Sequence, residues 1–402
     1  MTFGTYETVA LACLVLLLGY FLVKRVHFLS EYNIPEPVVG GFIVAIILSI
    51  VHHFWDMSFS FDTKLQTTMM LVFFSSIGLS ANFARLAKGG KPLVIFLFAA
   101  LGLIILQNTV GIGTSMLVGL DPAYGLIAGS VTLTGGHGTG AAWAETLSNR
   151  FGIQGALELA MACATFGLVF GGIIGGPVAR FLLKRLHKAE VPEDENVDDI
   201  EEVFEKPVYG RKINTRSIIE TITMMSVCLI VGQYLDVLTK GTALQLPTFV
   251  WCLFTGTVIR NALAHVVKFK VADEAIDVLG TVGLSLFLAI ALMSLKLWEL
   301  AGLALPILVV LLAQVVVMAT YSIFVTYRMM GRDYDAVVLS AGHCGFGLGA
   351  TPTAVANMQA VTSHFGPSHK AFLIVPMVGA FFIDLLNSVA LNIFLNIVDV
   401  LH

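Results

Sequence analysis

Charge is scarce in this chain. Asp, Glu, Lys and Arg together make up 12% of its 402 residues, about half of what a soluble domain carries. So few charged groups cannot clothe the surface of a soluble enzyme, and no nucleic-acid partner is expected. Paired cysteines are also missing. Cys13, Cys163, Cys228, Cys252 and Cys344 are scattered through apolar stretches, which excludes a disulfide framework or a zinc site and leaves them as small buried apolar residues. The apolar run 8–23 is not followed by a small-residue cleavage site, and Lys24-Arg25 come after it instead of before it, so it reads as a first span and not as a signal peptide. What the chain has in abundance is hydrophobic residues, at 57%, with a mean hydropathy of +0.86. Its solvent is expected to be a bilayer.

Apolar runs predict ten spans, at 8–23, 38–54, 67–82, 93–118 and 156–181, then 217–237, 247–264, 276–295, 303–327 and 371–397. Between the fourth and fifth spans of each half lies a glycine-rich, polar region, 124–147 and 336–361. Non-helical backbone survives at membrane depth only where it is buried in protein or lines a wet cavity, so both regions are expected to be re-entrant hairpins.

The positive-inside rule sets the orientation. With the amino terminus outside, the inner loops collect Lys24, Arg25, Arg85, Lys88, Lys91, Arg180, Lys184, Arg185, Lys188, Lys206, Arg211, Lys212, Arg216, Arg260, Lys268, Lys270, Arg328, Arg332 and Lys370. Only Lys64, Arg150, Lys240 and Lys296 face outward. Both termini are then periplasmic, and the acidic stretch within 189–216 is a cytoplasmic, solvated linker.

The halves also match at a constant spacing of 214. Pro92 pairs with Pro306, Asp121 with Asp335, Thr139 with Thr353, Leu86-Ala87 with Leu300-Ala301, and Phe151-Gly152 with Phe365-Gly366. An odd number of spans per copy inverts the second against the first. The expected fold is therefore all-α, with ten transmembrane helices in two inverted five-helix repeats, residues 1–188 and 217–402. Hairpin 124–147 would enter from the periplasm and hairpin 336–361 from the cytoplasm.

The hairpins carry the candidate chemistry. Gly135, Gly136, Gly138 and Gly140, flanking His137, allow positive φ and close approach to a ligand, and Gly342, Gly345, Gly347 and Gly349 around His343 are expected to do the same. A half-helix starting near Ala350 to Thr353, with Pro352 in its first turn, would aim N–H groups at a carboxylate. Thr132, Thr134, Thr139, Thr351 and Thr353 supply hydroxyls, which with unwound carbonyls suit sodium. Gly171-Gly172 and Gly175-Gly176 are expected to be packing glycines. Each histidine could order its hairpin or touch substrate or a proton; ligands for a metal on them are lacking. Asp384 is the deepest carboxylate, a cation ligand or a structural hydrogen-bond partner. Glu158 and Glu220 fall near the interfaces. Gln107, Gln314 and Asn387 are expected in interhelical hydrogen bonds, and Asn108, preceding Gly111 and Gly113, in ligand contact.

Five strings, TGGHGTGAAW (134–143), MACATFGLVFGG (161–172), LKLWELAGLALP (295–306), GHCGFGLGATPTAVANMQA (342–360) and VPMVGAFFID (375–384), closely resemble the bacterial sodium/glutamate symporters. That resemblance implies sodium-coupled uptake of glutamate by alternating access, in a homodimer in the lipid of the inner membrane, with Na+ as coupling ion and no organic cofactor. It places the translocation-site loops at 135–141 and 342–353, with substrate contacts among Asn108, Gly135 to Gly140 and Gly342 to Thr353 and sodium ligands among Thr132, Thr134, Thr353 and Asp384. A carrier of another small carboxylate such as citrate, or a sodium/proton exchanger, is the nearest competing reading. A channel would place identical loops about one axis. An intramembrane enzyme would need a nucleophile–base pair or paired metal ligands that the sequence does not offer.

Overall fold

The computed structural model describes residues 2–32, 34–55, 57, 59–186, 213–240, 242, 246–264, 269, 271–295 and 303–401. The acidic stretch 189–212 lies outside the described residues, as do Lys188, Lys268, Lys270, Lys296 and Leu300-Ala301. The described chain is helical. Its principal helices are α1 (Thr5–Arg25), α2 (Glu36–Trp55), α3 (Lys64–Ser80), α4 (Phe83–Leu117), α5 (Pro122–Leu126), α6 (Gly136–Phe151) and α7 (Ala156–Leu183). In the second half follow α8 (Thr215–Thr239), α9 (Thr248–Ala262), α10 (Asp273–Met293), α11 (Ala304–Tyr321), α12 (Tyr334–Leu348), α13 (Thr351–Phe365), α14 (His369–Met377) and α15 (Ile383–Leu401). Eight of the ten apolar runs fall mainly on one helix each, while 303–327 runs from α11 through the π turn Ser322–Thr326 and 371–397 covers α14, the π turn Val378–Phe382 and α15. Among the described residues, seven stretches are long and apolar enough to cross a membrane: α1, Gly90–Leu117, α7, α8, α10, Ala304–Met329 and α15.

Local chemistry sets several helix ends. The Asp121 carboxylate accepts from the Ala123 N–H with Pro122 in the first turn, and the Asp333 carboxylate accepts from the Ala336 N–H. Asn214 and Ser217 form a reciprocal capping box at α8. The two Phe-Gly pairs of the sequence repeat close equivalent helices. Phe151 and Phe365 are the last residues of α6 and α13, Gly152 and Gly366 follow with φ of +67° and +96°, and their N–H groups donate to Ser148 and Thr362 carbonyls at 2.9 and 3.0 Å. Only glycine takes such angles cheaply.

The chain divides into two compact units that are not sequential. One holds residues 1–82, 137–162 and 211–304, and so α1–α3, α6, the start of α7, and α8–α10. The other holds 83–136, 163–210 and 305–402, and so α4, α5, most of α7, and α11–α15.

Packing inside the first unit comes in matched pairs. Gly19 and Gly40 bring α1 against α2, where an added Cβ would lie 2.0 Å from the Glu36 carbonyl oxygen and 2.1 Å from that of Val15. Gly232 does the same for α8 on α9 against Cys252. Gly41 of α2 meets Leu292 of α10, and Gly78 of α3 meets Leu253 of α9. Small residues at such crossings let backbones approach where lipid gives no hydrophobic drive. Buried Phe74, Phe249 and Trp143 fill the space beside them in tilted and edge-on contacts at 4.6 and 5.4 Å.

In the second unit, α12 and α13 lie against each other, with α14 against both, and α4 carries α5 and α15. Three π-helical turns, Ile127–Val131, Ser322–Thr326 and Val378–Phe382, occur among its described residues. Such turns free backbone groups and recur at functional sites. Cys163, Cys228, Cys252 and Cys344 are buried, while Cys13 is exposed on α1.

Candidate functional site

Two helix breaks face each other's backbone in the second unit. At the first, the π turn after α5, Ile127–Val131, holds non-helical Gly129 at its centre (φ −104°, ψ −139°). The Thr132 hydroxyl donates to the Ile127 carbonyl at 2.6 Å, the Gly135 N–H to Ser130 O at 3.0 Å and the Gly136 N–H to Thr132 O at 2.8 Å. Gly136, at φ +67°, then turns the chain into α6. At the second break, α12 ends at Leu348, Gly349 leaves the helix with φ −139° and ψ −99°, Ala350 is extended, and α13 starts at Thr351 with Pro352 in its first turn. That start agrees with the sequence expectation of a half-helix opening near Ala350 to Thr353.

Gln107 of α4 joins the two breaks. Its Nε2 donates to Gly347 O at 2.7 Å, and its Oε1 accepts from the Thr134 hydroxyl at 2.6 Å. Gln314 of α11 donates in turn to the Gln107 carbonyl at 2.7 Å. A side chain at Gly136 would stand 3.6 Å from the Gly349 carbonyl oxygen. Beside this bridge, Asn108 and Asn387 hold Ser130. Asn108 Oδ1 lies 3.1 Å from the Ser130 N–H nitrogen and 2.9 Å from its hydroxyl oxygen, and Asn387 Nδ2 donates to Ser130 O at 2.9 Å. The amides of Gln107, Gln314 and Asn387 thus serve between elements, as expected for polar groups in spans. Asn108 also bonds within the protein, yet its Nδ2 is buried without a partner.

The start of α13 presents donors without acceptors. The N-cap residue is Ala350, so no side chain caps the helix, and first-turn N–H groups have no partner inside a helix. The Thr353 hydroxyl is buried there with no hydrogen-bond partner. Orphan N–H groups and the positive end of the helix dipole suit an anion.

The glycines of the second segment, like Gly138 and Gly140 inside α6, depart from the sequence expectation of positive φ. Gly342, Gly345 and Gly347 lie inside α12 in helical conformation, and Gly349 has a negative φ. Their role is close packing. A Cβ on Gly345 would sit 2.4 Å from Ala354 Cα, one on Gly342 2.9 Å from Met358 Sδ, and one on Gly347 2.7 Å from a Leu103 methyl. The sequence signal for an opened backbone and for a tight helix pair is the same small residue. Gly171 and Gly175 of α7 pack as expected, against the carbonyls of Cys344 and Gly345 and against Asn357, whose Nδ2 donates to Gly171 O at 2.8 Å.

His343 is buried between Phe96, Tyr321 and Phe346, and its Nδ1 shares a 2.8 Å hydrogen bond with Thr326 of a π turn. That environment is of the ordering kind. Groups of three or more His, Cys, Asp or Glu able to hold a metal are absent among the described residues. Asp384 is half-buried in the first turn of α15, after the π turn Val378–Phe382. Thr351 is half-buried at the head of α13.

His137, Gly138, Thr139 and Gly140 belong to the first unit. His137 and Thr139 are buried in the first turn of α6, and a Cβ on Gly138 would lie 2.8 Å from the Phe73 ring. Two clefts of about 320 and 330 Å3 share Thr67, Met70, Glu145 and Asn149. The first adds Glu158 and the second Asp236, a lining whose charge suits cations. Sequence reasoning missed Ser130 and Thr326. An isolated hydroxyl directly after Gly129 in an apolar run was the available signal for Ser130.

A family model described as sodium/glutamate symporter matches residues 1–367. The chain is 72% identical over 400 residues to the sodium/glutamate symporter of Haemophilus influenzae, covering 100% of this chain and 99% of that protein. It is 54% identical over 392 residues to the sodium/glutamate symporter of Escherichia coli, covering 97% of each. Among solved structures it resembles a sodium proton antiporter from Methanocaldococcus jannaschii, with 12% identity, 97% of each chain covered and a TM-score of 0.44. With a multi-pass helical architecture and relatives of such identity along its whole length, the chain belongs to the sodium/glutamate symporter family.

Proposed function

We propose that this protein carries glutamate across the membrane together with sodium, as a secondary transporter and not an enzyme. Family membership supports the pair of solutes. The structural observation that carries the reading is the bridge from Thr134 through Gln107 to Gly347, which ties two helix breaks from different halves of the chain into one unit.

Glutamate brings two carboxylates and one ammonium, for a net charge of −1. Arg260 is the one buried cation among the described residues, and it belongs to the first unit, where it pairs with Asp273. Compensation for the anion therefore falls to the N-terminus of α13, to the Thr353 hydroxyl, and to sodium bound with it. One sodium makes the load neutral, so the bare anion is the form that burial penalises most. Coupling follows from that difference.

The ten apolar helices are ten spans in two inverted five-span repeats, with both termini periplasmic. The twin glycine caps of α6 and α13, at Gly152 and Gly366, support the duplication. The broken segments enter from opposite faces, 124–147 from the periplasm and 336–361 from the cytoplasm. Asn108, Gly135, Gly136, Gly349, Thr351 and Thr353 line the substrate path, with Thr132, Thr134, Thr353 and Asp384 near the ion. The protein works as a homodimer in the inner membrane, and the breaks move against a scaffold to alternate access.

Radiolabelled glutamate uptake into proteoliposomes tests the reading. An inward sodium gradient is expected to drive accumulation that citrate does not compete away. Uptake equally fast into sodium-free, proton-loaded vesicles would overturn it.

A further inference from the structure

Three side-chain oxygens converge on one point beside Gly129 without enough hydrogens to go round. Ser130 Oγ lies 2.9 Å from Asn108 Oδ1 and 2.7 Å from Asn387 Oδ1. A hydroxyl has one hydrogen and can serve only one of them. Neither amide can be turned over to supply another. Asn108 Oδ1 also accepts from the Ser130 N–H, so flipping it would set NH2 against N–H. Asn387 Nδ2 donates to the Ser130 carbonyl, so flipping it would set oxygen against oxygen.

All three residues are fully or almost fully buried, where an oxygen pair in contact without a proton is unfavourable. Two oxygens also face the Gly129 backbone closely, since a Cβ there would fall 3.0 Å from Asn108 Oδ1 and 3.3 Å from the Gln107 carbonyl oxygen.

We propose that Asn108, Ser130 and Asn387 form a sodium site, with carbonyls of the unwound stretch completing the shell. The proposal rests on the symport reading and names residues for its ion; Ser130 and Asn387 come from outside the sequence-derived ligand set. A hard cation takes neutral oxygens readily, and unwound backbone is where such ions sit in transporters. The site also gives coupling a physical path. Sodium on Asn108 Oδ1 holds that amide so that Nδ2, buried and without a protein partner, is offered to a substrate carboxylate. One side chain then touches both solutes.

The test is a sodium titration of purified protein by thermal shift, with choline replacing sodium, alongside glutamate uptake, for wild type, Ser130→Ala, Asn387→Ala and Asn387→Asp. Ser130→Ala and Asn387→Ala should raise the half-saturating sodium concentration by about tenfold or more, which corresponds to one lost ligand. Asn387→Asp separates ligand from strut. It keeps an oxygen for the ion and adds charge, but loses the donor to Ser130 O, so sodium affinity is retained or improved if the group is a ligand. Sodium dependence unchanged in both alanine variants, or Asn387→Asp as damaging as Asn387→Ala, would overturn the site while wild-type symport stands. Wild-type uptake indifferent to sodium would overturn the symport reading and the site with it.

Discussion

The Gln107 amide donates to the Gly347 carbonyl across 240 residues of sequence, at 2.7 Å and fully buried. Its oxygen takes the Thr134 hydroxyl at 2.6 Å. Gln107→Leu preserves volume but removes both bonds, leaving Thr134 and Gly347 only their own longer contact at 3.3 Å, and a buried polar group left poorly paired costs about 1–3 kcal/mol. The expected result is a lowered melting temperature in detergent together with reduced glutamate uptake. Gln107→Glu keeps the acceptor for Thr134 and loses the donor to Gly347, so it should fall between wild type and the leucine variant.

Thr353 gives a different contrast, because its hydroxyl has no protein partner to lose. Thr353→Val is near-isosteric and should change stability by less than about 0.5 kcal/mol. Uptake kinetics should show a raised KM for glutamate or sodium, and Thr353→Ser should restore it. Valine kinetics equal to wild type would mean that the hydroxyl touches neither solute.

Gly345→Ala adds one methyl group where Ala354 Cα would be 2.4 Å away. Backbone cannot swing aside as a side chain can, and overpacking of this kind costs about 1–3 kcal/mol. The control is Gly113→Ala, with nothing within 4 Å of the added carbon. Helix propensity there favours alanine by up to about 1 kcal/mol. Thermal melts of the two variants should move in opposite directions.

The twin caps allow a comparison within one molecule. Gly152→Ala and Gly366→Ala both force a side chain onto positive φ, +67° and +96°. At Gly152 the positive φ strains any side chain, at a cost of about 1–2 kcal/mol. Gly366, with ψ of 166°, occupies a region open essentially to glycine alone, so its substitution should cost about 1–3 kcal/mol. Gly366→Asn should therefore be as damaging as Gly366→Ala in thermal melts.

Hydropathy reports the solvent a segment meets, so the apolar runs gave the helices, and polar glycine-rich stretches marked where helices break. Two helix ends were also legible, since Phe151-Gly152 and Phe365-Gly366 each close a helix with a glycine at positive φ. Glycine itself was ambiguous. Gly136 opens the backbone while Gly342, Gly345 and Gly347 tighten a helix pair, and composition cannot separate the two because both need the absence of Cβ. Ser130 escaped notice for another reason. A single buried hydroxyl acquires meaning only from Asn108 and Asn387, which lie 22 and 257 residues away. The division into units was equally hidden, since contacts between α3 and α9 or α2 and α10 follow no local pattern.

Because each compact unit draws helices from both halves of the chain, neither can be finished while the ribosome is still making the second half. α3 emerges long before α9 and α10, the helices it packs on, and α4 before α15. Early helices must wait in the bilayer with their glycine faces bare, and Gly41 and Gly78 find Leu292 and Leu253 only late in synthesis. A ribosome stalled after residue 186 would release a product that is inserted but unassembled, and membrane quality control would meet it as an orphan. Supplying the second half as a separate polypeptide should rescue it, since the partner faces need to share a membrane more than a continuous backbone.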